Sequence, residues 1–153
     1  MAGMAGLLAA AIVALLLAGC ATSEPEPEPA ACGAPAATFV RALERAPGAV
    51  RLADGTRLST CVGRARSDAD LQSLGLSLTS AADTLRERVA GDPAAAAGLG
   101  YLTGAVRAGV ATNAGLATEL GRRVERAATL GDGASRAAVA AHAGGLRAGA
   151  DGG

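Results

Sequence analysis

Lysine and tryptophan are both missing from the 153 residues, and the aromatic side chains amount to one phenylalanine and one tyrosine. All 14 basic residues are therefore arginine, and 14 acidic residues balance them to a formal net charge of zero. That balance supplies no attraction for nucleic acid or another polyanion, so nucleic acid is excluded as a partner. There is one histidine, His142, and no Cys-x-x-Cys pair among the three cysteines, so metal and thiol-redox chemistry lack their usual residue sets. Gly-x-Ser-x-Gly elbows, phosphate-binding glycine loops and acid–histidine motifs are also missing from the sequence. An enzyme needs a poised nucleophile, an acid–base pair or a metal cluster; the sequence is read as non-catalytic and without a cofactor.

Half of the residues are hydrophobic, but alanine and the leading apolar run account for much of that figure. Beyond residue 20, Leu, Ile, Val and Phe make up about a sixth of the chain, a level at which disorder competes with folding. Disorder usually also needs a high net charge, which this chain does not carry. A compact but thinly packed domain is the expectation.

Met1 to Thr22 holds no charged side chain, and Leu7 to Leu17 is the apolar stretch of a signal-peptide core. The sequence Leu17-Ala18-Gly19-Cys20 that closes it resembles the lipobox of bacterial prolipoproteins. The resemblance is confined to this leader. It implies that residues 1–19 are a signal peptide and that Cys20 becomes the acylated N-terminus. The protein would then be lipid-anchored in the cell membrane or outer membrane, facing the periplasm or the exterior. Two or more acyl chains hold a protein on a bilayer almost permanently, at about 0.8 kcal/mol per buried CH₂. An uncut apolar run of this length is also just able to span a bilayer. Residues 20–31 follow as lipidated cysteine and stalk, because Glu24-Pro25-Glu26-Pro27-Glu28-Pro29 cannot form a helix ladder and favours extended polyproline II. From Ala21 to Ala31 such a spacer would reach about 30 Å.

With Cys20 assigned to lipid, Cys32 and Cys61 remain as a pair. In an oxidising exported setting they are expected to form a disulfide, worth about 3–4 kcal/mol on the chain-entropy model. Pro35 to Ala46 offers a short helix with Phe39, Val40 and Leu43 on one face, stopped by Pro47-Gly48. Val50 to Val62 alternates, and a loop Ala53-Asp54-Gly55 with a left-handed Gly55 predicts a β-hairpin. That hairpin pairs Leu52 with Thr56 and Val50 with Leu58, and sets Arg51 opposite Arg57 on a solvated face.

Ser67 with Asp70 reads as a capping box ahead of Leu71, Leu74, Leu78, Ala82, Leu85 and Val89, spaced by threes and fours. Asp92-Pro93 starts a second long helix, whose stripe is Leu99, Leu102, Val106 and Val110. Thr112-Asn113-Ala114-Gly115 marks a turn before Leu116, Leu120, Val124 and Ala127. One bent helix through that stretch is the alternative to two. The domain is thus placed at 32–130. The Ala/Gly-rich 131–153 reads as a tail or frayed terminal helix, because Gly144-Gly145 interrupts it.

The whole is expected to be mainly α, a small helical bundle with an N-terminal helix plus β-hairpin unit. Gly100, Gly104 and Ala108 recur every four residues and form a close-packing face for the Leu71–Val89 helix, for a second copy, or for an envelope protein. Functionally, the reading is a non-catalytic binding or scaffolding module of the cell envelope. The alternative is a carrier or sensor of a small apolar ligand held between alanine-lined helices.

Overall fold

The computed structural model describes residues 26–113 and 115–153. A one-turn 3₁₀ helix, Ala30–Gly33, leads into six α-helices: α1 Ala36–Leu43, α2 Leu58–Arg64, α3 Asp68–Arg88, α4 Pro93–Thr112, α5 Thr118–Ala127 and α6 Arg136–Gly152. Among the described residues there is no strand. The bundle is therefore helical throughout, and the hairpin expected at Val50–Val62 is corrected.

The turn of that hairpin does form. The Leu52 N–H donates to the Thr56 carbonyl oxygen at 3.0 Å, Asp54 Oδ1 accepts from the Thr56 N–H, and Gly55 takes a φ of 84°. What fails is the returning strand, because the chain enters α2 at Leu58. A strand would have turned Cys61 to the opposite side from Leu58 and Val62. Helical spacing puts Leu58, Cys61, Val62 and Ala65 on one buried face, and Cys61 bonds to Cys32. Arg51 consequently does not sit opposite Arg57; its guanidinium donates to the Gly152 carbonyl oxygen at 2.9 Å.

The start signals of the long helices are realised as read. The Ser67 hydroxyl accepts from the Asp70 N–H and the Asp70 carboxylate accepts from the Ser67 N–H, both at 3.1 Å, closing the capping box of α3. Those hydrogen bonds hold the exposed Asp70 carboxyl below its ordinary pKa. Asp92 caps α4 through the Ala94 N–H, with Pro93 in the first turn. α3 buries Leu74, Leu78, Ala81, Ala82 and Leu85.

At the centre lies α4, which touches all five other α-helices. Every residue from Ala95 to Val106 is buried, so the helix is apolar around its whole circumference. In that run the Thr103 hydroxyl donates to the Leu99 carbonyl oxygen at 3.0 Å. The chain breaks at Asn113, and α4 and α5 are two helices, with Gly115 at a φ of 91° in the turn.

Residues 136–152 are an integral helix of the bundle. Ser135 caps α6 by accepting from the Ala138 N–H at 3.1 Å, and α6 lies along α4 in the most extensive helix pairing of the fold. The glycines that weaken an isolated helix are the ones that admit the neighbour, since a Cβ at Gly145 or Gly149 would strike the Ala97 or Tyr101 carbonyl oxygen.

Candidate functional site

The small-residue face of α4 has a resident partner. A Cβ at Gly100 would collide with the His142 carbonyl oxygen, and one at Gly104 with that of Leu146, so both glycines lie against the α6 backbone. The expected neighbour, the Leu71–Val89 helix, is not what covers them. Four-residue spacing on α4 (Gly100, Gly104) meets four-residue spacing on α6 (Gly145, Gly149), which brings the two backbones together. Ala108 lies further along α4, half-buried, and lines a recess rather than this seam. The face is internal, and any partner must be met elsewhere.

Two surface clefts offer apolar lining. Between α3 and α5 a groove of 370 Å³ includes Leu71, Leu76, Leu116 and Leu120, rimmed by Asp68, Glu119 and Arg123. Leu76 is 66% exposed and Leu116 58%, and among the described residues only Val139 is a further large apolar side chain exposed to that degree. Between α4, α5 and α6 a cleft of 660 Å³ combines Leu130, Val139 and Leu146 with Arg107, Arg122 and His142. Arg107 is already engaged, its Nε donating to Glu125 Oε1 at 2.7 Å. Glu119 faces Arg122, Arg123 and Arg126 at 3.7, 3.0 and 3.8 Å, which holds its carboxyl below the usual range.

His142 borders the larger cleft with its Nε2 buried and unpartnered. Burial pushes its pKa down, the Arg107 charge adds to that, and a hydrogen bond to the Ala128 backbone opposes it. Neutral imidazole is the favoured form. Among the described residues no group of His, Cys, Asp and Glu is arranged to hold a metal ion.

Asn113 is the residue that sequence reasoning missed. Placed only in a turn by its neighbours, it is fully buried at the end of α4. Its Nδ2 donates to the carbonyl oxygens of Val62 at 2.7 Å and Ala65 at 3.0 Å, and its Oδ1 accepts from the Ala117 N–H at 3.1 Å. One carboxamide thus joins the end of α2, the end of α4 and the start of α5.

Cys32 and Cys61 form the disulfide, 29 residues apart and both buried, tying the 3₁₀ turn to α2. Cys20, with the whole of 1–25, lies outside the described residues. From Glu26 the Glu/Pro tract rests on the domain: Glu26 is ion-paired to Arg64, and the Pro29 carbonyl oxygen accepts from the Cys32 N–H at 2.9 Å. Burial, with Asp70 nearby, raises the Glu28 pKa. Among the described residues no helix is long and apolar enough to cross a membrane. Comparison with protein families, with curated proteins and with solved structures gives no match to this chain.

Proposed function

We propose that the protein is a lipid-tethered, non-catalytic binding module of the bacterial cell envelope, anchored through acyl chains on Cys20 and presenting the α3–α5 groove to an envelope protein. The observation that supports this most is the exposure of Leu76 and Leu116 in one groove. Exposed apolar side chains clustered in a groove mark contact surfaces, whereas scattered ones do not. The Gly100 and Gly104 seam cannot serve, because α6 fills it.

A photo-crosslinking residue at position 76, compared with one at the exposed Arg41 position, tests this in intact envelopes. The expected outcome is one discrete adduct from position 76, absent from position 41, and lost in Leu116→Asp while the melting temperature holds. An adduct of twice the chain mass would identify a second copy as the occupant. Equal labelling from both positions, or none, contradicts the reading.

The 660 Å³ cleft supports a second reading, since its size suits a small ligand and Val139 lies 52% exposed within it. On that reading the protein carries a small apolar or lipid-like molecule. A medium-chain fatty acid would raise the melting temperature of the wild type and not of Val139→Asp; no rise in the wild type argues against it.

A further inference from the structure

We infer that the recess around Arg57, Arg64 and Arg66 is the face that the domain lays on an anionic lipid surface; this rests on the proposed acyl anchor at Cys20. The recess measures 470 Å³ and also presents the hydroxyl of Thr60, whereas the Ser59 and Thr112 hydroxyls donate to the Gly153 and Gly109 carbonyl oxygens. Guanidinium forks with a hydroxyl beside them suit phosphate oxygens, the chemistry of a lipid headgroup. Arg57 and Arg66 are exposed, and among the described residues neither has a carboxylate within ion-pair distance. Asp151 is the one acidic side chain lining the recess.

The position of the tether selects this face among the charged ones. Glu26 is paired with Arg64, so the chain coming from Cys20 reaches the domain at the recess itself. Only residues 21–25 then separate the acylated cysteine from the arginines, about 16 Å even in the extended polyproline form. That is half the reach expected of a stalk running to Ala31. A tether this short holds the recess close enough for surface potential to act, since that potential decays over about 8 Å at physiological salt. The acyl chains supply retention; the arginines supply orientation. The cleft at His142 then lies about 13 Å along α6 from Asp151, up the helix and away from the lipid.

The test uses the full acylated protein reconstituted in vesicles of phosphatidylcholine alone or with phosphatidylglycerol added. Arginines are modified with a dicarbonyl reagent and located by mass spectrometry, while flotation reports anchoring. Arg57 and Arg66 are expected to react about fivefold more slowly on the anionic vesicles, with the exposed Arg41 and Arg136 unchanged. Raised salt should remove the difference. In Arg57→Gln/Arg66→Gln, protection of Arg64 should fall with it while flotation persists. Flotation with equal reactivity on both vesicles would overturn the docking face alone. Failure to float on either would overturn the anchor and the docking face with it.

Discussion

Asn113 is the one asparagine in the chain, and from the end of α4 its carboxamide satisfies two carbonyl oxygens at the end of α2 and one N–H at the start of α5. Asn113→Ala leaves all three buried and unpaired, which should lower the unfolding free energy by about 2–4 kcal/mol in urea titration. Asn113→Asp keeps the shape but turns an acceptor toward carbonyls, and should destabilise at least as much. A near-native Asn113→Asp would show that the site needs only volume. His142 gives the other residue-scale expectation. Its folded pKa lies below the unfolded value of about 6.5, so the unfolded chain takes up the proton first as pH falls. Stability from this group is thus intact above that value and declines as pH drops through and below it. His142→Gln should flatten the stability profile between about pH 5 and pH 7; an unchanged slope would assign the dependence to the carboxylates.

Helix by helix, the predictions turn on glycine. Gly100→Ala places a Cβ into the α6 backbone and should cost about 1–3 kcal/mol, despite the better helix propensity of alanine. Gly144, on the same α6 but with nothing within 4 Å of a Cβ, should gain up to about 1 kcal/mol as Gly144→Ala. Opposite signs from the two variants in thermal melts would establish the seam; equal signs would deny it. The same contrast explains what the sequence made legible. The Ser67–Asp70 box and Asp92-Pro93 are local signals whose partners lie within a turn, and both helices begin there. The segment from Leu58 to Val62 is short enough to satisfy alternation and helical spacing alike, and the disulfide, a long-range contact, favours the helix. α6 was obscured for a related reason: glycine propensity argues against a helix, whereas Gly145 and Gly149 repeat the four-residue spacing of Gly100 and Gly104, a pattern visible only when both segments are compared. The α3–α5 groove was hidden too, because Leu116 read as an ordinary member of a helical stripe and Leu76, off the α3 stripe, carried no signal of its own.

For the molecule as a whole, a core built from alanine, leucine and valine around α4 leans on its crosslink. Closing a loop across the 29-residue separation should contribute about 3–4 kcal/mol, so Cys32→Ser/Cys61→Ser should melt many degrees lower. Unchanged melting would mean that the helices alone carry the fold. The disulfide, the proposed acyl anchor and the proposed lipid-facing recess all fit an exported protein, and one measurement tests them together. The decisive measurement is the intact mass of the protein extracted by detergent from its own membranes. The account predicts a chain beginning at Cys20, heavier by its acyl chains and lighter by the hydrogens lost to the Cys32–Cys61 bond. A chain beginning at Met1, unacylated and with three free thiols, would contradict it.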